Sequence, residues 1–260
     1  MIEIHSIESP NIKVYKSLRG TSTELIENHL FIAEGERVVC KLLNSDLEVV
    51  SLFATSKYYE KYGEKIKGKN IPDDQMYVAS KEIMEQVVGF RVHTGIMALA
   101  KQPEDTELCK LSNKIVVLNG VIDSENVGSI VRNSVAFGFD SLIYDNHSSC
   151  PYLRRAVRVS MGSVFHLKVH RSNNLYLTIN ELKKMGYEII SAELCDGAIP
   201  INELSLSNKV VIIFGSEGYG ISEDILSLSD KIVFIPISKN INSLNVASSS
   251  SIILYYLANL

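Results

Sequence analysis

The chain has no tryptophan, only six prolines and only four cysteines among its 260 residues. No apolar run approaches the roughly 18 residues that cross a bilayer. The first residues show no basic region followed by an apolar stretch, so we expect neither a membrane span nor a secretory signal. Cys40, Cys109, Cys150 and Cys195 lie far apart without a Cys-x-x-Cys pair, which argues against the common zinc sites. We predict reduced thiols in a cytoplasmic protein.

The composition is apolar, with 46% hydrophobic and 22% charged residues, which excludes a disordered chain. The net charge of −4 disfavours a general nucleic-acid binder, because nonspecific affinity comes from neutralised phosphates. Lys and Arg number 13 against 14 Asp and Glu before Gln102, and 13 against 16 after it. Neither half is a basic module, so a nucleic-acid partner requires a local basic patch.

The polar, acidic stretch 103–112 is typical of a linker and predicts two domains, 1–102 and 113–260. The first is expected to be a small α/β domain with strands at 31–35, 49–54 and 95–100 and helices at 36–44 and 81–88. In the second, strands are predicted at 115–118, 141–144, 165–169, 188–191, 210–214 and 232–235, with helices at 127–137, 153–160, 175–185, 222–228 and 243–257. Such alternation favours a parallel sheet covered on both faces, with ligands bound beyond the carboxyl ends of the strands.

The first of three unusual stretches runs from Asn119 to Asn133, from the loop after a predicted strand into a helix. Asn126 sits near the start of that helix, where its amide can cap backbone N–H groups or face a ligand. Arg132 lies near the middle of the helix. A helix cap and a solvated arginine are the alternative reading of this spacing.

The second stretch, residues 214–220, places three glycines directly after an apolar strand. Their spacing, Gly-x-x-Gly-x-Gly, is neither the dinucleotide fingerprint nor a Walker loop. We expect Ser222 to cap the next helix, whose first turn carries Glu223 and Asp224 and so opposes a phosphate. The loop therefore favours a ligand held by backbone contacts, with a tight strand-to-helix turn as the alternative.

The third stretch is Ile235-Pro236-Ile237, followed by residues 243–247 and four serines. A serine run usually indicates a linker. Here apolar residues flank it on both sides, which favours a helix. Its small side chains permit close packing, including packing against a second subunit.

In order and in separation, these stretches resemble the three motifs of the SpoU-type RNA ribose methyltransferases of the SPOUT superfamily. The resemblance runs from Ile115 to the C-terminus, and residues 31–37 and 93–98 more weakly resemble the family's ribosomal-protein-like substrate-binding domain. It implies transfer of a methyl group from S-adenosylmethionine to a ribose 2′-hydroxyl in structured RNA, with ribosomal RNA favoured over transfer RNA. It also implies a trefoil knot in the C-terminal α/β domain and a homodimer formed through that domain.

The resemblance also assigns the site, which needs no metal. The cofactor would be held by Gly215, Glu217, Gly218, Gly220, Ile235, Pro236 and Leu244. The reacting ribose would face Asn126, Arg132, Ser243 and Asn245. The sequence departs from the family pattern at Asn119 (usually Asp), Asn133 (usually Thr) and Lys239 (often Gly), which concerns loop shape and substrate more than the cofactor.

Two basic clusters are candidates for RNA contact. The first comprises Arg154, Arg155 and Arg158, which with Arg132 and Arg171 would form a rim at the cofactor cleft; a solvated helix face is the alternative. The second is the lysine- and tyrosine-rich segment that starts at Lys57 and includes Lys61, for which a mobile surface loop is the alternative. His93 is a further candidate, with a strand-end histidine as the alternative.

Two other functions compete with methyl transfer. One is an RNA-binding homologue that has lost activity, against which the joint presence of Asn126, Arg132, Glu217, Ser243 and Asn245 argues. The other is a nicotinamide-dependent oxidoreductase, suggested by the alternating strands and the glycine-rich loop. It lacks both the fingerprint and the acidic residue about 20 positions further on that holds a ribose.

Overall fold

The structure is a computed structural model that describes residues 1–16, 23–88, 95–238, 240–241 and 243–260. His93 and Lys239 therefore lie outside the described residues, as does Gly89, which follows the helix predicted at 81–88. The chain divides into two compact units. Unit 1 comprises Met1–Pro103 with Tyr152–Phe165, and unit 2 comprises Glu104–Pro151 with His166–Leu260. The segment 152–165 thus packs with unit 1, although along the chain it lies inside the second predicted domain.

The strands of the described chain follow in sequence order. They are β1 (Ile2–Ile4), β2 (Leu30–Glu34), β3 (Val49–Ala54), β4 (Met76–Ala79), β5 (Ile96–Lys101), β6 (Lys114–Asn119), β7 (Ser141–Asp145), β8 (Lys168–Ser172), β9 (Glu188–Ala192), β10 (Ile199–Pro200), β11 (Val210–Gly215) and β12 (Lys231–Phe234).

The α-helices lie between or after these strands. They are α1 (Thr23–Glu27), α2 (Glu36–Leu43), α3 (Ser56–Lys67), α4 (Lys81–Val88), α5 (Ser124–Ala136), α6 (Arg154–Val159), α7 (Leu175–Lys184), α8 (Glu223–Leu226) and α9 (Val246–Ala258). Short 3-10 helices occur at Pro10–Lys16, Asp73–Gln75, Leu108–Lys110, Ser163–His166 and Ile201–Glu203.

Unit 1 contains a mixed five-stranded sheet in the order β1-β4-β3-β5-β2. Strand β4 pairs in parallel with β1 and β3, whereas β5 pairs antiparallel with β2 and β3. Its core gathers apolar side chains such as Ile32, Phe53 and Met97, each at most 1% exposed. The strands β1 and β4 escaped prediction because segments of three and four residues carry too little periodicity.

The segment from Lys57 was read alternatively as a mobile loop, and that reading is wrong because it forms helix α3. Tyrosines supply the buried face of this helix. Tyr58 is buried, and the Tyr59 hydroxyl donates to the carbonyl oxygens of Leu52 and Tyr77, each at 3.0 Å. The sequence pattern did not predict this helix, because tyrosines rather than aliphatic residues form much of its buried face and charged residues surround them.

Unit 2 confirms the predicted parallel sheet, with seven parallel strands in the order β10-β12-β9-β11-β6-β7-β8. Side chains of the central strands, such as Val116, Val117 and Ile212, are fully buried, as near-continuous apolar strands require. From β6 the chain moves outward through β7 and β8 and then crosses to β9 on the other side. The order reverses between β6 and β11, where the loops that follow the two strands bind ligands in folds of this kind.

Several predicted elements differ in their bounds, two of them at their first residue for a visible reason. The strand expected at 165–169 begins at Lys168, because a 3-10 helix occupies Ser163–His166. The final helix begins at Val246 rather than 243, because Asn245 is its N-cap and accepts from the N–H groups of Ala247 and Ser248.

No helix within the described ranges is long and apolar enough to cross a membrane. All four cysteines are free in the structure.

Candidate active site

Sheet register brings the first two motifs together. Gly215 of β11 pairs with Asn119 of β6, so the loops that follow both strands leave the sheet at the same edge. The Asn119 side chain joins them, because its amide donates to Asp145 (2.9 Å) and its oxygen accepts from the Ser222 N–H (2.9 Å) and hydroxyl (3.1 Å). Ser222 occupies the N-cap position of α8 without making the predicted side-chain cap, since its hydroxyl points to Asn119.

Asp145, at the end of β7, holds the loop that follows β6 through hydrogen bonds. Its carboxylate is only 4% exposed and accepts from the N–H groups of Gly120 (3.1 Å) and Ser148 (2.8 Å) as well as from Asn119. Gly120 has a φ of 70°, a backbone conformation that glycine adopts without strain. The loop shape is therefore set by a buried anion surrounded by donors.

One hydrogen-bonded network joins all three motifs. The Asn126 amide donates to the Glu217 carboxylate, and the Asn126 oxygen accepts from the Asn245 amide at 3.0 Å. Asn126 does not cap its helix, because Asp123 is the N-cap of α5 and accepts from the Glu125 N–H at 2.8 Å. Asn126 thus links two other predicted site residues, both more than 90 positions further along the chain.

The helices behind these loops are also tied together. Asn133 of α5 donates to the Ala247 carbonyl oxygen (3.0 Å) and to the Ser250 hydroxyl (2.9 Å), both on α9. Arg132, one residue earlier, is exposed and makes no hydrogen bond or ion pair within the part of the chain that the structure describes. Its guanidinium is therefore available to a ligand.

A cavity of about 370 Å³ opens beside this network, within the range of roughly 300–1,000 Å³ that small-molecule sites occupy. Residues that the resemblance assigns to the cofactor and that line it are Gly215, Glu217, Gly218, Gly220, Ile235 and Leu244. Ser243, assigned to the ribose, lines it as well, whereas Pro236 is not among its lining residues. Much of the remaining wall is apolar and includes Phe214 and Ile253.

The glycines of the second motif are sterically required. A Cβ on Gly215 would overlap the backbone of Gly220, because the loop closes on itself through two 3.0 Å hydrogen bonds between Ser216 and Gly220. Gly220 has a φ of 68°, and a Cβ there would overlap the carboxylate of Glu193. Gly218, in contrast, faces open space.

Sequence reasoning missed Glu193, which also lines the cavity. It directly follows β9, the strand next to β11, and its carboxylate accepts from the Ile221 N–H at 2.9 Å. A carboxylate at the carboxyl end of a strand beside the glycine-rich loop is the signal that could have identified it. Within the described residues, no three His, Cys, Asp or Glu side chains are grouped as a metal site.

The first basic cluster is divided by burial. The Arg154 side chain is 13% exposed, and its guanidinium donates to Glu34 (2.9 Å) and to the Tyr15 carbonyl oxygen (3.0 Å) inside unit 1. This geometry corrects the expectation for Arg154, because an arginine enclosed by protein partners cannot bind a phosphate at the surface. Arg155 and Arg158, on the same helix, are exposed, and so is Arg171 of unit 2.

The second cluster is partly neutralised. Lys61 forms an ion pair with Glu36, whose carboxylate also accepts from the Tyr62 hydroxyl at 2.7 Å. Hydrogen bonds from Lys61 and Tyr62 lower the pKa of Glu36, and the bond to Glu36 raises the pKa of Tyr62 to about 12. Lys57 is exposed.

Fold and site together define an α/β protein whose parallel-sheet unit carries a ligand cavity beyond the carboxyl ends of β9, β11 and β12, next to a hydrogen-bonded network that joins three loops. Residues 113–255 match the model of the SpoU rRNA methylase family. The chain is 31% identical over 232 residues to an uncharacterized tRNA/rRNA methyltransferase of Mycobacterium bovis, covering 87% of this chain and 80% of the relative. It is 28% identical over 262 residues to the 23S rRNA (guanosine(2553)-2′-O)-methyltransferase RlmP of Bacillus subtilis, covering 99% of both.

Solved structures show the same fold. An AdoMet-bound rRNA methyltransferase from Sinorhizobium meliloti superposes with a TM-score of 0.86 at 21% identity, covering 99% of this chain and 97% of that one. The SpoU methyltransferase AviRb from Streptomyces viridochromogenes has a TM-score of 0.80 at 19% identity, covering 96% and 97%. The chain belongs to the SpoU rRNA methylase family and is an RNA methyltransferase, which confirms the resemblance seen in its sequence.

Proposed function

We propose that this protein transfers a methyl group from S-adenosylmethionine to the 2′-hydroxyl of a ribose in structured RNA, with ribosomal RNA favoured over transfer RNA. The observation that carries the proposal is the network of Asn126, Glu217 and Asn245 beside the cavity. Family membership and the printed activity of the Bacillus subtilis relative support it. A homologue without activity would have no need to keep this polar network ordered.

The cavity fits the cofactor in size and in charge. Its apolar walls and glycine backbone suit an adenosine held by backbone contacts, and Gly215, Ile235 and Leu244 would hold it. When bound, S-adenosylmethionine supplies a methyl group on a positively charged sulfur. The lining carboxylates Glu193 and Glu217 suit a cation of this kind.

We assign the ribose side to Asn126, Arg132, Ser243 and Asn245. Arg132 is a poor general base because a guanidinium keeps its protons at neutral pH. We propose that it binds the RNA phosphate next to the target and stabilises negative charge that develops on the ribose oxygen. Asn126 and Asn245 hold the loops in place, and aligning the hydroxyl with the methyl group supplies much of the rate.

Arg132→Ala and Arg132→Lys test this assignment. We expect Arg132→Ala to lose methylation by about 100-fold or more while calorimetry shows cofactor binding within about twofold of wild type. Arg132→Lys should recover part of the activity, because it restores a positive charge that binds phosphate. The recovery should be incomplete, because an ammonium contacts a phosphate with poorer geometry than a guanidinium does. A loss of cofactor binding as large as the loss of methylation would refute the assignment.

Unit 1 is the proposed substrate-binding domain, with the ribosomal-protein-like fold that the resemblance implies. Lys57, Arg155 and Arg158 are its exposed candidates for RNA contact, with Lys61 partly neutralised. The expected result is weak affinity for arbitrary RNA and selectivity for one folded target. Mapping of 2′-O-methyl sites in RNA from cells with and without the gene identifies the nucleotide, and an unchanged map would contradict the proposed function.

The final helix, α9, is proposed to form a homodimer. It is apolar on most sides, yet Ile252 and Tyr255 remain 42% and 59% exposed. We expect the wild type to sediment as a dimer and Ile252→Asp as a monomer. Leu177→Asp, at an exposed residue of α7, is the matched control and should leave the dimer intact.

The C-terminal segment is further proposed to thread the trefoil knot typical of the superfamily. The contacts of α9 with α5 and β11, after a strand that pairs with β9, support such a path. Stretching the chain from both ends should yield an unfolded length that falls short of a fully extended unknotted chain of 260 residues.

With RNA as substrate and four free thiols, we place the protein in the cytoplasm.

A further inference from the structure

The charge of the cavity is one-sided. Among its described lining residues, Glu193 and Glu217 are charged, and none is a lysine, arginine or histidine. Glu217 already accepts a hydrogen bond from Asn126 on the side assigned to the ribose. Glu193 belongs to a different wall, at the end of β9, and the function proposed above uses it only as one of two carboxylates suited to a cation.

Protein donors hold the Glu193 carboxylate in place. One oxygen accepts from the Ile221 N–H at 2.9 Å, and the other accepts from the Leu194 N–H at 3.2 Å. The carboxylate packs against Gly220, where a side chain would displace it. Both carboxylate oxygens therefore act as hydrogen-bond acceptors for backbone N–H groups.

We propose that Glu193 is a specificity-determining residue that makes the cavity prefer the cationic methyl donor over the neutral product of transfer. The inference rests on the proposed function. In that reaction the ribose oxygen forms a bond to the methyl carbon, the carbon–sulfur bond breaks and its electron pair stays on sulfur, and the hydroxyl proton leaves to solvent. The ligand in the cavity thereby loses the positive charge on its sulfur, and the attraction of that charge to a fixed carboxylate disappears. The carboxylate thus favours entry of the donor and release of the product.

Calorimetric titration of Glu193→Gln with S-adenosylmethionine and with S-adenosylhomocysteine tests the charge, because glutamine keeps an oxygen that accepts from the Ile221 N–H and gives up only the longer bond from the Leu194 N–H. We expect the Kd of the donor to rise about tenfold and that of the product to change less than about twofold. Glu181→Gln removes an exposed carboxylate from α7, which does not line the cavity, and should change neither Kd.

Leu194→Lys is a second, independent variant. Leu194 lines the cavity but is 61% exposed, so the substitution should not disturb folding. The added cation should weaken donor binding more than product binding, whereas Leu194→Gln should weaken neither selectively. Equal changes for both ligands in Glu193→Gln and in Leu194→Lys, or no change, would overturn the inference. Wild-type protein that binds neither ligand would instead overturn the proposed function.

Discussion

The Asn119 amide is the most sharply testable link between the two loops of the site. It donates to the buried carboxylate of Asp145 at 2.9 Å, and its oxygen accepts from Ser222. Asn119→Asp keeps the shape and the bonds from Ser222 but replaces the donor with a second carboxylate. Two negative charges then face each other, and the folded protein either takes up a proton on one carboxyl group or bears their repulsion.

The magnitude follows from these two options. Repulsion of unit charges about 4 Å apart at an effective dielectric constant of about 20 is about 4 kcal/mol. Protonating one carboxyl group, with an ordinary pKa near 3.9, requires about 2 kcal/mol at about pH 5.5 and about 5 kcal/mol at about pH 7.5. The protein adopts the less expensive option at each pH. We therefore expect Asn119→Asp to lower the free energy of unfolding by about 2 kcal/mol at the lower pH and by about 4 kcal/mol at the higher one.

The sign follows from proton linkage. The folded variant binds more protons than its unfolded chain across this interval, so its stability falls as the pH rises. Urea denaturation of variant and wild type at both pH values measures the difference. Asn202→Asp, at an exposed residue of unit 2, is the control and should show no such trend.

A double variant that exchanges the amide and the carboxylate tests whether repulsion is the cause. Asn119→Asp combined with Asp145→Asn restores one carboxylate and one amide, and the new amide oxygen can still accept from the Gly120 and Ser148 N–H groups. We expect it to recover most of the lost stability. The account is refuted if the single variant is as stable as wild type, if its deficit does not grow with pH, or if the double variant is no better.

Three further predictions concern single contacts. Gly220→Ala places a Cβ at a φ of 68° against a neighbouring carboxylate; loss of cofactor binding in calorimetry is expected, and unchanged binding would contradict the packing described. Arg154→Met leaves Glu34 buried without its ion pair and should destabilise unit 1 by about 3–5 kcal/mol in urea denaturation, whereas a loss below about 1 kcal/mol would show that the pair is dispensable. Burial raises the pKa of Asp230, but hydrogen bonds from Lys183 and a backbone N–H outweigh it and lower that pKa. Asp230→Asn should therefore be less stable than wild type at neutral pH, with the gap closing as the pH falls below about 4; a constant gap would exclude the ion pair as its cause.

The parallel sheet of unit 2 was predictable because its strands are continuous apolar runs separated by helical segments. Strands at 210–214 and 141–144 were placed within one residue of β11 and β7. Helix α3 was not predictable in the same way, because its buried face consists of tyrosines whose hydroxyl groups find carbonyl partners only in the folded unit. The burial of Arg154 was likewise not predictable, because its ion-pair partner Glu34 lies 120 residues earlier in the chain and only the fold brings the two together.

The sequence by itself determined the family, the parallel α/β unit and the three motifs, because local periodicity and motif spacing are properties of neighbouring residues. The tertiary structure decided which of those residues meet. Asn126 contacts both Glu217 and Asn245 only because β6 and β11 are paired and α9 returns to pack on α5. A second pairing, of β9 with β11, places Glu193 against Gly220. These two residues are too far apart in sequence for a local pattern to predict their contact.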